Sequence, residues 1–508
     1  MLVDYVLAKD STREQDYYCE LSYTNQEGMI EVEKVYFEGG FPSFTECDEL
    51  DPEKIDILSY SGKPLKYELK PNIKYFDAHH LLDSIIKEKE PELYLKYSQL
   101  NMPRVFSVDI ETEITDEFGY SSPEKAENRI LSISVTSDNF NTMLFCIDGE
   151  KYEKLDECDK SYINGILEDS LGEFYHQHEY NYNIKSFQTE FDMLNSFLTY
   201  VNKYFHTTIG WNVLDFDWNY IQNRCKRLGI NYFKSSPVGK KCPPKNSINE
   251  GLMTNIDTPQ HRLQIDYMNL FKASYEYQNL SSFSLNAVSE EILGLNKVSY
   301  SGNLRTLYES DRLKFYAYAL VDTILVMLLH HTTALLNVNI FQSYYIGIPY
   351  MKLNQNPISE KLIYRYMIKR NRVFIESEFS TQEQRKYPGG FVKQPTKLTS
   401  NSTMGLDFNS LYPNSMITSI LSFETKHNDT IEVNEFGRPK NDTEMDKWLR
   451  YKALGYALAP TGRLYKKSEN GSIITDIEED LLKERGKFKK IFADIYLKYI
   501  PLIESKIV

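Results

Sequence analysis

The pattern of apolar and polar positions predicts a chain in which strands and helices alternate. Runs of alternating or continuous apolar residues predict strands at 17–23, 30–37 and 105–111. Apolar residues that recur at helical spacing predict helices at 189–204 and 313–334, the second of them strongly apolar. This mixture indicates an α/β protein.

Two further helices are predicted nearer the C-terminus. The segment 359–372 has the pattern of a basic amphipathic helix. The segment 476–498 is predicted to begin at a capping box formed by Thr475 and Glu478, and Pro501 is predicted to mark its end.

Length, hydropathy and cysteine usage limit the number of domains, the possible membrane association and the cellular setting of the chain. The chain has 508 residues, enough for about three domains. Tyr387-Pro388-Gly389-Gly390 is the sharpest turn signal and predicts a domain edge. No apolar run approaches the ~20 residues that a bilayer span needs, so no membrane partner is expected. Six scattered Cys residues without a C-x-x-C pair favour a reduced, cytoplasmic setting.

The net charge changes this picture, because an acidic total argues against nucleic acid as a partner. The chain has 58 Lys and Arg against 72 Asp and Glu, a formal charge of −14. The basic residues are nevertheless gathered in three windows, at 217–250, 360–372 and 483–490. A phosphate backbone could lie along such windows, because salt screens charges that are farther than about 10 Å away. A solvated surface is the alternative for each window.

The first candidate chemistry is a pair of carboxylates in the predicted strand at 105–111. Asp109 and Glu111 are two residues apart and would therefore point to the same face. Adjacent carboxylates resist ionisation unless a cation lies between them, which favours a divalent metal with oxygen ligands. An exposed acidic strand end is the alternative.

Two later segments carry similar ambiguities. Asp217 follows Gly210-Trp211-Asn212 and precedes a helical run, so it could cap that helix or bind a metal, and Asp215 could do either. Tyr318 and Asp322 are four apart in an apolar helix and share a face. A buried Asp there needs a metal or a hydrogen-bonded partner, whereas an Asp at a helix edge does not.

The order and spacing of these residues resemble the three motifs of proofreading 3′–5′ exonucleases of the DEDDy type. The motifs read D-x-E, N-x-x-x-F-D and Y-x-x-x-D. The resemblance implies hydrolysis of phosphodiesters by two divalent ions, Mg²⁺ or Mn²⁺. It implies that Asp109, Glu111, Asp217 and Asp322 are metal ligands and that Tyr318 orients the attacking water. Asn212 and Phe216 would shape the site and contact DNA.

A second constellation, Asp407 to Pro413, resembles motif A of family B DNA polymerases, D-x-x-S-L-Y-P. The resemblance implies that Asp407 is a metal ligand at a strand end. Ser410 and Leu411 would lie near the phosphates of the incoming nucleotide. Tyr412 would stack under the sugar and exclude a 2′-hydroxyl.

Two more segments resemble parts of the same family. Tyr387, Gly389 and Gly390 match an element between the exonuclease and polymerase domains where backbone approaches DNA, which glycine permits. Arg485 and Lys489, four apart on one helical face, match the pair that binds triphosphate on the first fingers helix.

The resemblance is strongest to the polymerases of T-even-like bacteriophages and covers essentially the whole chain. It implies a mixed α/β architecture with a ribonuclease H-like exonuclease domain, a β-rich N-terminal domain and a partial palm and fingers. The expected divisions are the N-terminal domain at 1–104, with a return at about 336–385, the exonuclease at 105–335, the palm at 386–470 and the fingers from 471 to 508. A phage-encoded chain would act in the host cytoplasm.

Two motifs of the family are missing from this sequence. Motif B, K-x-x-x-N-x-x-Y-G, and motif C, D-T-D, do not occur. Of the two key carboxylates of the polymerase site, this sequence therefore contains only Asp407. The two metal ions of that site are expected to bind only when a partner chain supplies the other carboxylate. The sequence predicts the N-terminal subunit or fragment of a polymerase that needs a C-terminal half. Its partners would be primer–template DNA, single-stranded 3′ ends, deoxynucleoside triphosphates and, through that half, a sliding clamp.

Two alternatives stay open. The chain could be a free-standing 3′–5′ exonuclease whose palm remnant only binds DNA. It could also be a non-catalytic nucleic-acid-binding relic, which the intact carboxylate set argues against.

Overall fold

The structure is a computed structural model of the 508-residue chain. It describes residues 2–9, 16–46, 57–59, 63–70, 83, 85–148, 155–204, 207–241, 258–274, 276–353, 355–373, 402, 404–466 and 471–507. The chain divides into two compact units, one formed by 1–37 and 85–354 and the other by 38–84 and 355–508. The fold is mixed α/β, as the sequence predicts.

The strands, numbered in chain order, are β1 (Leu2–Lys9), β2 (Asp16–Thr24), β3 (Ile30–Glu38), β4 (Phe41–Glu46), β5 (Ile57–Ser59), β6 (Pro64–Lys70), β7 (Val105–Thr112), β8 (Ile130–Ser137), β9 (Asn141–Cys146), β10 (Asn181–Ser186), β11 (Thr207–Gly210), β12 (Leu263–Asp266), β13 (Arg372–Val373), β14 (Lys426–Thr430), β15 (Tyr456–Leu458) and β16 (Arg463–Lys466).

The α-helices are α1 (Pro91–Tyr97), α2 (Glu157–Leu171), α3 (Glu173–Gln177), α4 (Glu190–Tyr204), α5 (Asp217–Leu228), α6 (Tyr267–Ala273), α7 (Leu285–Leu293), α8 (Leu304–Ser310), α9 (Arg312–Thr333), α10 (Leu335–Ile346), α11 (Gln355–Ile368), α12 (Leu411–Thr418), α13 (Asp442–Ala453) and α14 (Ile473–Ile507). Short 3₁₀ helices lie at Tyr232–Ser235 and Tyr350–Lys352.

The first unit is built on a six-stranded mixed sheet with the order β10-β9-β8-β7-β11-β12. β8 runs antiparallel to β7 and β9, and the other pairings are parallel. Helix α9 packs on β7 and β8 at one face, and α4 and α5 contribute to the core at the other. A separate three-stranded sheet, β1-β2-β3, in which β1 and β2 are antiparallel, belongs to the same unit.

Strand β8 shows why this sheet is covered on both faces. All eight of its residues are buried. Ile133 and Val135 join the core that contains α4 and α5. The alternating Ser134 and Thr136 face α9, where they hydrogen-bond to Thr323. Period-two alternation therefore places apolar groups on one face and hydroxyls on the other.

Helix α9 has the length and hydropathy of a membrane span, but it is a core helix. Its most apolar 18-residue window has a mean hydropathy of 1.5, and 83% of that window is buried inside the protein. It is the one helix of the described residues that passes this test. Its apolar side chains, which would also suit a bilayer, pack against the sheet in this fold.

The second unit contains two small sheets, β13-β5-β6-β4 and β14-β16-β15, with α11 to α14. The prediction for its last helix was wrong at both ends. Helix α14 begins at Ile473, so Thr475 lies inside it, and its hydroxyl donates to the Ser472 carbonyl at 3.3 Å. The N–H of Ser472 instead donates to Oδ2 of Asp476 at 3.2 Å. The helix continues through Pro501, which removes one backbone hydrogen bond from a 35-residue element.

Candidate active site

Strand β7 presents the first two candidate carboxylates on one face. Asp109 lies directly opposite Ser134 on β8, and Glu111 lies opposite Ser132. Val108 and Ile110, which alternate with them, are buried in the core on the other face. The predicted strand and the predicted side-by-side placement of the two carboxylates are both present.

Helix α9 brings Asp322 to the same place. One carboxylate oxygen from each of Asp109, Glu111 and Asp322 lies within 4.8 Å of the others, and this is the one such group of potential metal ligands among the residues described. Tyr318 lies one turn earlier on the same helix, with its ring centre 5.5 Å from Nζ of Lys297. Asp322 is 2% exposed, so the alternative of a helix-edge Asp does not hold.

Asp217 stands beside this group and does not cap its own helix. Its Oδ1 accepts the backbone N–H of Ile110 on β7 at 3.0 Å. β11 pairs with β7 only as far as Ser107, so this N–H has no strand partner on that side. Asp217 is buried, and its charge acts on Glu111. Asp215, the other candidate in this segment, is exposed.

The crowding of carboxylates changes their ionisation. Burial, and then repulsion from Asp322, raises the pKa of Asp109 to about 7. Burial and the charge of Asp109 raise the pKa values of Glu111 and Asp217 well above their usual range. Desolvation also raises the pKa of Tyr318, with Asp322 as the next cause. Without a cation these groups resist ionising together.

Lys297 supplies part of the missing positive charge, and sequence reasoning missed it. Its Nζ lies 2.7 Å from Oδ2 of Asp322 and 5.5 Å from the ring centre of Tyr318. Burial acts to lower the pKa of Lys297, but attraction to Asp322 and Asp109 outweighs it and the pKa is raised. No local pattern distinguishes this lysine from the other basic residues, because its partner is 25 residues away.

Replacing Lys297 with Met should destabilise the metal-free protein at neutral pH. The change leaves Asp322 buried without its cation, which costs up to about 3 kcal/mol. The loss should shrink as the pH falls, because burial raises the pKa of Asp322 and a protonated Asp322 needs no cation. Thermal unfolding in a chelator at neutral and at acidic pH measures this. Lys226→Met, which removes an exposed lysine, is the control, and an equal loss in both variants would contradict the role of Lys297.

The segment between β11 and α5 is held in an unusual conformation. Asn212 has φ +59°, and its N–H donates to Asp266 Oδ1 at 3.2 Å. Asp266 also caps α6 through the N–H groups of Met268 and Asn269. The indole N–H of Trp211 donates to the Phe283 carbonyl at 2.9 Å. Asn212 and Phe216 both lie on this segment, which leads to Asp217, and the N–H of Phe216 donates to the Asn212 carbonyl at 3.1 Å.

Gly210 permits the close approach of this segment to β7. A Cβ at this position would lie 2.6 Å from Val213 Cβ and 2.8 Å from the Val108 carbonyl oxygen. We expect Gly210→Ala to lower the free energy of unfolding by about 1–3 kcal/mol, because backbone must shift. Denaturant unfolding measures the change. Gly165→Ala is the control, since nothing lies within 4 Å of a Cβ there, and equal stability of the two variants would contradict the packing argument.

The residues present fit a divalent cation. The donor set is entirely carboxylate oxygen, the ligand type of Mg²⁺, Ca²⁺ and Mn²⁺. Oδ1 of Asp322 is buried and has no hydrogen-bond partner among the described residues. A cation between Asp109, Glu111 and Asp322 would satisfy this atom and remove the mutual repulsion.

The candidate polymerase residues lie in the second unit and are largely exposed. The sequence predicts a strand end at Asp407, but 404–408 forms no strand, because no described element pairs with it. Ser410 has φ +49° and precedes α12, whose Leu411 and Tyr412 are 51% and 77% exposed. Arg485 and Lys489 are exposed on α14. Tyr387, Gly389 and Gly390 lie outside the described residues.

Several residues of the basic windows are engaged in ion pairs. Arg224 binds Glu190 at 2.7 Å, with 11% of its side chain exposed. In the second unit, Lys361 pairs with Asp83 at 3.0 Å, and Arg370 pairs with Asp476. These three basic residues are therefore paired with carboxylates of the same unit and are largely buried rather than solvated.

An α/β domain with carboxylates gathered between a strand and a helix is suited to divalent-metal chemistry on phosphate esters. Residues 66–288 match the exonuclease domain of DNA polymerase family B, and residues 351–496 match DNA polymerase family B. The chain therefore belongs to the family B DNA polymerases and contains both an exonuclease and a polymerase domain of that family. Exonuclease domains of this family use divalent metals.

Three relatives illustrate the similarity. The chain is 26% identical over 324 residues to the DNA-directed DNA polymerase of Enterobacteria phage T4, covering 61% of this chain and 34% of that protein. It is 24% identical over 394 residues to that of Escherichia phage RB69, with 75% and 42% covered. It is 26% identical over 452 residues to the DNA polymerase delta catalytic subunit of Plasmodium falciparum, with 84% and 37% covered. The chain thus spans 34–42% of the length of these relatives.

Proposed function

We propose that the chain is a 3′–5′ DNA exonuclease that also carries one part of a nucleotidyl-transfer site. The observation that carries the proposal is the group formed by Asp109, Glu111 and Asp322, whose oxygens lie within 4.8 Å of one another. Asp109 and Glu111 lie in the segment 66–288 that matches the family's exonuclease domain, and Asp322 lies beyond the end of that match. The expected division, with the exonuclease at 105–335, is part of this proposal.

The proposed mechanism assigns a task to each side chain. Asp109, Glu111, Asp217 and Asp322 would hold two divalent ions, Mg²⁺ or Mn²⁺. When bound, these would supply the positive charge that activates water and stabilises the leaving oxygen. Tyr318, which lies one turn before Asp322 on α9, would orient the attacking water.

Other residues would hold the DNA end. Asn212 and Phe216 lie on the segment that leads to Asp217 and would contact the terminal nucleotides. Lys297 would favour the ionised form of Asp322 before the ions bind, because its ammonium is 2.7 Å from that carboxylate.

The assay for this function is digestion of a 5′-labelled single-stranded oligonucleotide by the purified chain. With Mg²⁺ or Mn²⁺ we expect a ladder of products shortened from the 3′ end, and no digestion in a chelator. Asp407→Asn should digest DNA as the wild type does, because Asp407 lies in the other unit. A wild-type chain that leaves the oligonucleotide intact with either metal would refute the proposal.

For the polymerase part, the proposed roles follow the family pattern. Asp407 would bind metal, and Ser410, Leu411 and Tyr412 would contact the incoming deoxynucleotide. Arg485 and Lys489 would bind its triphosphate. Tyr387, Gly389 and Gly390 would contact DNA.

DNA synthesis would in addition need motifs B and C. We propose that a C-terminal polymerase half supplies them in the host cytoplasm and also contacts the sliding clamp. The exposed Met404, Leu406 and Phe408, each at least 71% exposed, support this, since apolar side chains favour a covered position.

Primer extension tests this second part. The chain purified from its native source should extend a primer while the other half is bound, and it should stop when that half is stripped away. Asp407→Asn in the intact assembly should abolish extension and retain exonuclease activity. If the stripped 508-residue chain extends a primer by itself, the proposed need for a partner is wrong. That result would also contradict the alternative of a free-standing exonuclease.

A further inference from the structure

A row of hydroxyl groups lies beside the carboxylates in the first unit. On β8, Ser134 is directly opposite Asp109, and Thr136 is directly opposite Ser107 of β7. Directly opposite residues of an antiparallel pair share a face of the sheet. Hydroxyls and carboxylates therefore form adjoining rows beneath α9, at positions where a sheet face under a helix is ordinarily apolar.

Thr323, the residue next to Asp322, joins this row to α9. Its Oγ1 lies 2.9 Å from the Ser134 hydroxyl and 2.8 Å from the Thr136 hydroxyl. The Ser107 hydroxyl donates to the Thr323 carbonyl at 2.7 Å. Thr136 is linked onward to Thr142 of β9 at 2.8 Å. Two strands of the sheet, β7 and β8, are thus hydrogen-bonded directly to one residue of α9.

The donors and acceptors of Thr323 can all be satisfied at once. Its hydroxyl can donate to the Leu320 carbonyl at 3.1 Å and accept from Ser134 and Thr136. All of these side chains are at most 1% exposed. Buried hydrogen bonds are directional, whereas apolar packing tolerates sliding, so this network fixes the depth and rotation of α9 more tightly than a Val would.

We propose that Thr323 is a positioning residue for the carboxylate site, because it sets Asp322 of α9 at the distance from Asp109 and Glu111 of β7 that a divalent cation requires. The proposal rests on the proposed metal-dependent function. Outer groups that orient metal ligands in this way typically account for 10–100-fold in metal affinity.

The test is Mn²⁺ binding to the full chain without DNA, measured by isothermal titration calorimetry. Thr323→Val keeps the shape of the side chain and removes its hydroxyl. Thr323→Ser keeps the hydroxyl and should restore binding. Thr207→Val is the control, because Thr207 is also fully buried and its hydroxyl has no hydrogen-bond partner among the described residues.

We expect Thr323→Val to weaken Mn²⁺ binding about tenfold, with Thr323→Ser and Thr207→Val close to wild type. Thermal unfolding in chelator verifies that each variant is folded. If Thr323→Val does not fold, Ser107→Ala removes one bond of the same network and should weaken binding severalfold.

Two results would overturn the inference alone. They are a folded Thr323→Val or Ser107→Ala chain that binds Mn²⁺ as the wild type does, and a control variant that loses as much affinity as Thr323→Val. Absence of Mn²⁺ binding by the wild-type chain would instead refute the proposed function, and the inference with it.

Discussion

Replacing Asp109 with Asn should abolish exonuclease activity and, in the metal-free protein, raise stability near neutral pH. The loss of rate should be about 10³-fold or more, since a metal ligand stabilises transition-state charge by several kcal/mol. The gain in stability follows from the pKa of Asp109, which burial and the charge of Asp322 raise to about 7. A carboxyl group with a raised pKa destabilises the folded state when pH rises above its unfolded value.

The pH window follows from the same shift. At pH values well below 3.8 the Asp109 carboxyl is protonated in both states, and wild type and Asp109→Asn should unfold alike. Between about pH 4 and 7 the wild type should lose stability relative to the variant, by more than about 1 kcal/mol at pH 7. Thermal unfolding in chelator at pH 4.5 and 7.5 measures this. A variant that is less stable than wild type at pH 7.5 would contradict the repulsion described for the site.

At Asp217, two substitutions should separate a structural role from a chemical one. Asp217→Ala leaves the N–H of Ile110 without an acceptor, which costs about 1–3 kcal/mol, and it removes a proposed metal ligand. Asp217→Asn keeps an oxygen that can accept this N–H but removes the charge. Both variants should lose exonuclease activity by about 10³-fold, whereas only the Ala variant should lose stability.

Denaturant unfolding and a rate assay on the same preparations test this pair. Asp215→Asn serves as the control, because Asp215 is exposed and should retain both stability and rate. An Asn variant that keeps the wild-type rate would show that Asp217 acts only as an acceptor for β7. Equal stability of the Ala and Asn variants would show that the hydrogen bond to Ile110 contributes nothing.

The elements that carry the site were predictable because their patterns are local. Period-two alternation identified β7 and the common face of Asp109 and Glu111, and helical spacing identified α9 with Tyr318 and Asp322. The predicted ends of α9 differ from the observed ones by one residue. For each carboxylate the sequence left a structural alternative open. Burial removes the helix-edge alternative for Asp322, and the bond from the Ile110 N–H, with no side-chain cap on α5, argues against capping by Asp217.

The contacts between elements were not predictable, because they join residues that are distant in sequence. Lys297, which follows α7, meets Asp322 because α7 packs on α9, and nothing in the sequence near Lys297 signals this. The bond from Ile110 to Asp217 depends on where β11 stops pairing with β7. The start of α14 was misplaced because Asp476 and Glu424 supply acceptors for the N–H groups of Ser472 and Ile473, so the capping box was not needed.

The most direct test of the central claim, that this carboxylate cluster cleaves DNA through bound metal ions, uses a terminal 3′-bridging phosphorothiolate. The sulfur replaces the leaving oxygen, and Mg²⁺ binds sulfur poorly while Mn²⁺ accepts it better. The account predicts slow cleavage of this linkage with Mg²⁺ and recovery with Mn²⁺, whereas the normal linkage is cleaved with both. Equally slow cleavage of the sulfur linkage with both metals would contradict a metal contact at the leaving group.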